Sequence, residues 1–509
     1  MVATAHPAAS AAALTVLQSG GNAFDAAICA ALVLSVVEPQ SSGLGGDSFV
    51  LGYSSGVAKP FAINGSGKSG KGGSADELRR RGFNQMPMRG AMSVTCPGAV
   101  DTWAMLHRDH GQLDWGRLFE PAIRFAREGY IVADRVALDW WSFEDALSAG
   151  SGAGDVFLKG GRAFRAGQVH RQPCLASTLE RIASGGRDAF YEGPVAQDII
   201  ETLGRLGSFI EAADLAETRA FHVTPVSLDY KGYDVLQLPS NNQGSTALLL
   251  LNILKHLPQT EHSNPQRFHF LLEAARLAYR ERDRALGDPE FSAIDQAKFT
   301  DDAFAAELAA MIDPDRTTKV FGEPQTRKSD TTTISVVDRV GNAVTLINSL
   351  YYHFGSCVVA PLTGILLQNR GSGFNLLEGH PNEFAPAKRP LHTIMPGLVL
   401  KNGKPALIYG VMGGDYQAIG HAQLIADVVD FGLDIQQAID RPRAFYFKGF
   451  AEVERSMPAH IVEGLTRRGH SVQVAHLPIG GAQAIWIDPA SGTLSGGSDP
   501  RKDGLAIGN

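Results

Sequence analysis

The sequence has few cysteines, no excess of basic charge and no long apolar run, and each shortage argues against a class of protein. Its 509 residues include only four cysteines, none spaced as CxxC. Neither a zinc site nor a disulfide framework is therefore indicated, and buried, reduced cysteines are expected. A net charge of −7 argues against nucleic acid and against an anionic membrane surface as partners. The most apolar run, residues 26–39, is too short to span a membrane, and no signal-peptide pattern precedes it, so a cytoplasmic location is expected.

Several common enzyme motifs are also missing. The segment GLGGDSF at residues 43–49 lacks the spacing of a dinucleotide or phosphate-binding loop and is more typical of a tight turn. The sequence contains no HExxH. We therefore expect no metal and no organic cofactor.

Hydrophobic patterning divides the chain into a mainly helical first part and a strand-rich last part. Residues 170–300 are predicted to be mostly helical, with a long amphipathic helix over 268–291. The polar segment 312–330 contains Pro and Gly and is predicted to be a linker. The next segment, TTTISVVDRVGNAVTLINSL, predicts a β-hairpin with its turn at 340–342. Further strand pairs alternate with helices, which favours a layered α+β or α/β fold.

The junction between Asp330 and Thr331 allows two interpretations. Threonine suits strands, so the three threonines at 331–333 are compatible with a plain hairpin. A threonine hydroxyl also becomes a nucleophile when a base takes its proton, and an N-terminal threonine carries such a base in its own α-amine. The pKa of an α-amine is about 7.7–8, which suits neutral pH. An internal threonine reaches this state only if the chain is cut just before it, and the residues alone leave both interpretations open.

Longer motifs resemble a known family. They occur in the order GGNAFDAAICAALVLSVVEPQSSGLGGDSF (20–49), CPGAVDTW (96–103), EAARLAYRERDRALGDPEF (273–291), TTTISVVDRVGNAV (331–344), RPLHTIMPGLVL (389–400), GVMGGDYQ (410–417) and SDPRKDG (498–504). Together they resemble the γ-glutamyltranspeptidase family of self-cleaving N-terminal nucleophile (Ntn) hydrolases. The resemblance implies an α+β fold, a four-layer αββα sandwich cut between Asp330 and Thr331. The large subunit would be 1–330 and the small subunit 331–509, together forming one structural domain.

The resemblance also implies a set of catalytic roles. Thr331 would attack the preceding carbonyl, be freed by cleavage, and then form an acyl-enzyme with an amide substrate. Ser349 matches the hydroxyl that hydrogen-bonds the nucleophile, and Thr333 falls on the third position of the same motif. Gly413 and Gly414 match the glycines whose backbone N–H groups form the oxyanion hole.

The substrate pocket departs from the pattern of true γ-glutamyl enzymes. At the positions that would hold the glutamyl carboxylate and ammonium, this sequence has Asn64, Tyr351, Gly373, His392 and Thr393. Gly373 takes the place of the family's acidic anchor for the ammonium, and Arg370 lies near that position. An arginine favours a carboxylate. The implied substrate is a small, oxamate-like amide with an acid group and no α-ammonium, and a glutaryl amide of the cephalosporin-acylase type is an alternative.

The alternatives are a true γ-glutamyltransferase or glutathione hydrolase and, more distantly, an unprocessed non-catalytic binding protein. The expected partners are the amide substrate and the two subunits for each other. The sequence leaves open whether the cut heterodimer forms a dimer.

Overall fold

Helices and strands alternate through most of the computed structural model, which describes residues 1–318, 326 and 329–508. The predicted linker at 312–330 therefore lies partly outside the described residues. Within the described residues, no helix is both long and apolar enough to cross a membrane.

The α-helices of the described residues, in chain order, are α1 Pro7–Gln18, α2 Ala23–Val37, α3 Ala75–Arg80, α4 Ala99–His110, α5 Glu120–Glu128, α6 Asp134–Ser142, α7 Glu144–Ala149, α8 Ala153–Phe157, α9 Pro173–Gly185, α10 Asp188–Tyr191, α11 Gly193–Arg205, α12 Ala212–Ala216, α13 Gly244–Lys255, α14 Pro265–Ala285, α15 Asp302–Ala309, α16 Tyr416–Phe431, α17 Ile435–Asp440 and α18 Ala459–Arg467.

The strands, in the same order, are β1 Val2–Thr4, β2 Asp47–Ser54, β3 Lys59–Gly65, β4 Tyr130–Ile131, β5 Leu158–Lys159, β6 Arg162–Ala163, β7 Val169–His170, β8 Phe221–Val223, β9 Val226–Tyr230, β10 Tyr233–Gln237, β11 Thr332–Val337, β12 Ala343–Ser349, β13 Val359–Ala360, β14 Ile365–Leu366, β15 Pro396–Lys401, β16 Lys404–Met412, β17 Ala444–Phe447, β18 Phe450–Val453, β19 Val472–Val474, β20 Gly481–Ile487, β21 Leu494–Ser498 and β22 Leu505–Ile507.

Two large sheets form the centre of the molecule. The first has the order β22-β1-β11-β12-β2-β3-β8, and the second has the order β21-β20-β16-β15-β10-β9. Strands from before and after residue 331 lie side by side in both sheets: β11 pairs with β1, β12 pairs with β2, and β15 pairs with β10. The chain on the two sides of that residue therefore forms shared sheets.

Three apolar layers hold the sandwich together. Side chains such as Phe49 and Ile408 fill the space between the two sheets. Helix α2, entirely buried and opened by a capping box of Asn22 with Asp25, covers the first sheet. Helices α13, α14 and α16 cover the second sheet. Because buried apolar surface lies on both faces of both sheets, the arrangement is the predicted four-layer αββα sandwich.

The predicted hairpin after residue 330 is present. Strands β11 and β12 pair antiparallel, with Thr332 opposite Asn348, and Asp338 to Asn342 form the connection. Residues 170–300 are mostly helical as predicted, with α9 to α14, but β8, β9 and β10, which were not predicted, also lie there. Lys231 and Gly232 join β9 to β10, and both have positive φ, at 55° and 79°. Such a pair is typical of the two-residue turns that close hairpins.

Two smaller predictions also need correction. The long amphipathic helix α14 begins earlier than predicted, because Asn264 caps it and Pro265 occupies its first turn, and it ends before Gly287. Cys29, Cys96 and Cys357 are buried free thiols, as expected, but Cys174 in the first turn of α9 is exposed.

Candidate active site

Thr331 lies immediately before β11, in the middle of the first sheet, and is fully buried. Strand alternation sends Thr331 and Thr333 towards the second sheet, whereas Thr332 donates from its hydroxyl to the carbonyl of Asn348 within the first. Thr333 fills the space left by Gly410 of β16, where an added Cβ would lie 1.9 Å from its hydroxyl oxygen. The side chain of Thr331 therefore points into the sandwich at the end of its strands.

Ser349 connects Thr331 to the peptide bond that precedes it. The Thr331 hydroxyl donates to Ser349 Oγ over 3.3 Å, and Ser349 Oγ donates to the carbonyl oxygen of Asp330 over 3.1 Å. The N–H of Tyr351 donates to the same Oγ over 2.8 Å. Ser349 is the last residue of β12, and the β11–β12 register places it beside Thr331. One hydroxyl thus touches both the candidate nucleophile and the carbonyl that it would attack.

The tandem glycines come from the second sheet. Gly413 and Gly414 follow β16 directly and form the turn into α16, with φ of 119° and 66°. Side chains larger than hydrogen rarely adopt these values, so the turn requires glycine. Gln243 fixes the turn by donating from Nε2 to the carbonyl of Gly414 over 3.2 Å and to that of Thr393 over 2.7 Å. Arg282 donates to Gln243 Oε1 over 3.1 Å and holds this amide in place.

Arg370 is a buried cation that contacts Ser349. It is fully buried, and its Nη atoms donate to Thr393 Oγ1 over 3.0 Å and to Ser349 Oγ over 3.5 Å. Its guanidinium stacks over the ring of Tyr351 at 3.9 Å. Burial lowers the pKa of Arg370 to about 10, so it stays charged at neutral pH. Among the described residues no carboxylate pairs with it, and its Nε has no hydrogen-bond partner. A buried, unpaired guanidinium is suited to an anionic ligand.

A cavity of about 350 Å³ is lined by two residues that contact this arginine, Tyr351 and Thr393. Its lining extends from the exposed side chain of Leu377 to the buried Tyr351, Thr393 and Asp415. Gly373 also lines it, so the position of the family's acidic anchor borders the cavity without a charge. Tyr351 has a φ of 79°, which is unusual for a bulky residue and is found mainly where function constrains the backbone.

Two of the predicted pocket residues, His392 and Asn64, are not among the residues that line the cavity. His392 Nε2 is 2.9 Å from Asp47 Oδ2, and burial lowers its pKa to about 4, so it is neutral near pH 7. Asn64 donates from Nδ2 to Asn241 Oδ1 over 2.9 Å and accepts from Ser66, which occupies its side-chain amide. Both side chains are therefore engaged by other protein groups in this structure.

Asp330 lies in a buried group of charges on the other side of the Asp330–Thr331 bond. Lys502 donates to Asp330 Oδ2, and Arg135 pairs with Asp139 at 2.9 Å. Within the described chain, Asp139, Asp330 and His353 offer atoms close enough together to ligate a metal ion. Both carboxylates are nevertheless already neutralised by protein cations, so the group is better suited to internal ion pairing than to a metal.

Gln417 is a residue of the site that the sequence did not indicate. It lies in the first turn of α16 and donates from Nε2 to Thr331 Oγ1 over 3.4 Å, while its Oε1 accepts from the N–H of Met395 over 3.0 Å. A donor at the nucleophile's oxygen stabilises that oxygen as it loses its proton. The contact joins residues 86 positions apart. Only the neighbouring GG turn could have pointed to it.

Replacing Gln417 by leucine, which has a similar volume, should slow turnover about tenfold, because one hydrogen bond to the reacting oxygen is lost. Steady-state kinetics on the processed enzyme measures this. Gln423→Leu on the same helix is the matched control, since its amide donates to Pro442 instead. Equal kcat values for the two variants would show that Gln417 has no role at Thr331.

Comparisons with known proteins identify relatives of this chain. The family model described as Gamma-glutamyltranspeptidase matches residues 9–509. A glutathione hydrolase-like YwrD proenzyme of Bacillus subtilis (strain 168) is 39% identical over 100% of this chain and 98% of its own length. An oxamate amidohydrolase proenzyme of Klebsiella pneumoniae subsp. pneumoniae is 34% identical over 100% of this chain and 98% of its own length.

A solved structure shows the same fold. The cephalosporin acylase from Bacillus halodurans superimposes with a TM-score of 0.93 at 38% identity, covering 99% of this chain and 94% of that protein. The three relatives are named for three different substrates, although each aligns with nearly the whole of this chain. This chain belongs to the γ-glutamyltranspeptidase family, and it is a hydrolase with the Ntn-hydrolase fold of that family.

Proposed function

We propose that the chain is a precursor that cuts itself between Asp330 and Thr331 and then hydrolyses a small amide whose acyl part carries a carboxylate. Thr331 is the nucleophile of both reactions. The contact of Ser349 with Thr331 Oγ1 and with the Asp330 carbonyl supports the first reaction. The proenzyme names of two relatives support it as well.

In the second reaction the freed α-amine of Thr331 takes the proton of its own hydroxyl, and the oxygen attacks the substrate carbonyl. The N–H groups of Gly413 and Gly414 stabilise the resulting oxyanion, and a donor of this kind contributes about 3 kcal/mol. The amine of the substrate leaves, and water hydrolyses the acyl-enzyme. These steps use a hydroxyl, an amine and backbone donors of the chain itself.

Cleavage would leave the two subunits, 1–330 and 331–509, as one folded unit. Strands from both share each large sheet, and their side chains share the apolar layer between the sheets. Separating them would expose that layer to water, which opposes dissociation.

Arg370 carries the proposal for the substrate class. It is a buried cation without a carboxylate partner among the described residues, and Ser349 Oγ contacts both its Nη2 and Thr331 Oγ1, at 3.5 Å and 3.3 Å. A substrate carboxylate on Arg370 would therefore be close to the amide that Thr331 attacks. In oxamate the carboxylate is bonded directly to the amide carbon, whereas a glutaryl chain separates the two carbons by roughly 5 Å. The short spacing favours the oxamate-like substrate.

A glutaryl-amide acylase is the second candidate, because the cavity of about 350 Å³ is larger than oxamate requires. The γ-glutamyl alternative is less well supported. Asp415, the acidic residue in the cavity wall nearest the glycine turn, already pairs with Arg282 at 2.5 Å. A γ-glutamyl ammonium would have to compete with that arginine.

A panel of three amides tests the proposal. We expect the highest kcat/KM for oxamate, a lower value for a glutaryl amide and the lowest for a γ-glutamyl anilide, measured by release of ammonia or amine. Acetamide, which lacks the carboxylate, is the neutral control. A γ-glutamyl anilide as the best substrate would overturn the proposed class, and no release from any acid-bearing amide would overturn the proposed reaction.

A further inference from the structure

We propose that Asp330 is itself a catalytic residue of self-cleavage. Its carboxylate accepts a hydrogen bond from the nitrogen of Thr331, which is the leaving group when the Asp330–Thr331 bond breaks. Lys502 is the residue that positions this carboxylate. The proposal rests on self-cleavage before Thr331 as proposed above. It gives a function to a buried charged group that the hydrolysis of substrates does not use.

The geometry places the carboxylate at the reacting nitrogen. The N–H of Thr331 donates to Asp330 Oδ1 over 2.8 Å, and Asp330's own N–H donates to the carbonyl of Tyr351 over 3.1 Å. The other oxygen, Oδ2, accepts from Lys502 Nζ and lies 3.5 Å from His353 Nε2. Asp330 is 4% exposed and Lys502 is 8% exposed. The side chain is therefore fixed at both oxygens inside the protein.

The surrounding charges keep this carboxylate ionised. Burial alone would raise the pKa of Asp330, but Lys502, followed by His353 and Arg135, reverses the effect and holds the pKa at about 2. The acidic neighbours do not compete for Lys502 to the same extent. Asp139 is paired with Arg135, and burial raises the pKa of Glu38 to about 8.

The proposed step is an N-to-O acyl shift followed by hydrolysis. Thr331 Oγ1 forms a bond to the Asp330 carbonyl carbon while Ser349 donates to the carbonyl oxygen. The C–N bond breaks, and the hydroxyl proton ends on the nitrogen of Thr331, which gives an ester and a free amine. Water then cleaves the ester, restoring the threonine hydroxyl and leaving a terminal carboxylate on Asp330.

The carboxylate makes this shift effectively one-way. A neutral amine beside an ester attacks it and restores the amide, whereas an ammonium has no lone pair for that attack. The new amine takes up a proton from water, and Asp330 Oδ1, already at hydrogen-bond distance from the nitrogen, favours the resulting ammonium. An uncharged side chain at this position would leave more of the amine neutral and more of the reaction reversed.

Cell-free synthesis followed by a denaturing-gel time course measures the rate of cleavage. Asp330→Asn keeps the size and an acceptor oxygen but loses the charge, and we expect cleavage to slow at least about tenfold at neutral pH. Asp198→Asn is the matched control, because Asp198 is also buried and accepts several hydrogen bonds, but from Leu362 and Thr363. Wild-type cleavage rates in Asp330→Asn would overturn the proposal.

The pH profile of the cleavage rate in Lys502→Met is a second measurement. A purely structural role of Lys502 would not change the shape of this profile. Without Lys502 the pKa of Asp330 rises, so the rate should fall as pH is lowered between about pH 8 and about pH 5, where wild type shows no such decline from this group. Lys502→Arg should restore the wild-type profile. Glu38, Asp139, His353, Arg135 and Asp503 face the same group and are unchanged in all three proteins, so the difference between profiles isolates Lys502.

The two proposals fail in different ways. Parallel pH profiles in Lys502→Met and wild type would overturn the role of Lys502, even if Asp330→Asn were too unstable to measure. Normal cleavage in Asp330→Asn together with no cleavage in Thr331→Ala would overturn only the role of Asp330. Cleavage in Thr331→Ala would overturn the proposed function itself.

Discussion

Thr331→Ala should leave the protein as a single 509-residue chain with no measurable amidase activity, whereas the wild-type protein should run as two chains. The alanine has no hydroxyl to attack the Asp330 carbonyl and none to form an acyl-enzyme, so both reactions lose their nucleophile. Losses on removing a nucleophile are on the order of 10⁴-fold or more in turnover. A denaturing gel with N-terminal sequencing checks the first effect, and steady-state kinetics checks the second.

Thr332→Ala is the matched control, because it makes the same chemical change one residue along, on the other face of the strand. It should be cut and active. Thr331→Ser keeps a hydroxyl and should be cut more slowly than wild type. A second chain that begins at any residue other than Thr331, or cleavage of Thr331→Ala at this bond, would contradict the assignment.

The sequence predicted the parts of the site that depend on neighbouring residues. Thr331 and Ser349 come together because a hairpin with a short turn sets the register of β11 against β12, and both the turn and the strands are visible in the sequence. The glycine pair at 413–414 was indicated by the resemblance to the family, and the positive φ of both residues explains why glycine is needed there.

The remaining contacts depend on how distant segments pack, and the pattern of one segment does not contain them. Gln417 reaches Thr331 because α16 follows the glycine turn of the second sheet. Lys502 reaches Asp330 from 172 residues away. The strands β8 to β10 were missed for another reason: their neighbourhood is helical, and a short strand carries a weak signal beside long amphipathic helices.

The fold explains why the two proposed subunits would be synthesised as one chain and separated only after folding. Both large sheets need strands from both sides of residue 331, so neither 1–330 nor 331–509 contains a complete sheet. Folding as one chain brings these strands together before the proposed cut, and the buried layers then hold the pieces in place. The same folding places the Asp330 carbonyl against Ser349, so assembly and the chemistry of cleavage depend on one structure.

Arg370→Met should lower kcat/KM for oxamate by about 100-fold or more, because the substrate carboxylate loses its charged partner in a buried site. Turnover of acetamide, which has no carboxylate, should change little. The ratio of the two kcat/KM values therefore measures recognition of the acid separately from the chemistry at Thr331. Arg370→Lys keeps the charge without the planar fork and should retain part of the preference for oxamate.

The same change should have an unusual effect on stability. Burial lowers the pKa of Arg370, which means that the folded protein disfavours its charged form relative to the unfolded chain. Removing a buried charge that has no carboxylate partner among the described residues should therefore leave the melting temperature unchanged or raise it. Loss of activity together with equal or higher stability is expected of a residue retained for binding.

Arg187→Met is the matched control for this pair of measurements. Arg187 also stacks over a tyrosine, at 4.3 Å from the ring of Tyr191, but it is paired with Asp101. Its loss should lower the melting temperature and leave the ratio of oxamate to acetamide turnover unchanged. Equal losses on both amides in Arg370→Met would instead assign Arg370 to holding Ser349, which its Nη2 also contacts. The ratio thus decides whether the guanidinium binds the substrate's acid or only positions the hydroxyl beside the nucleophile.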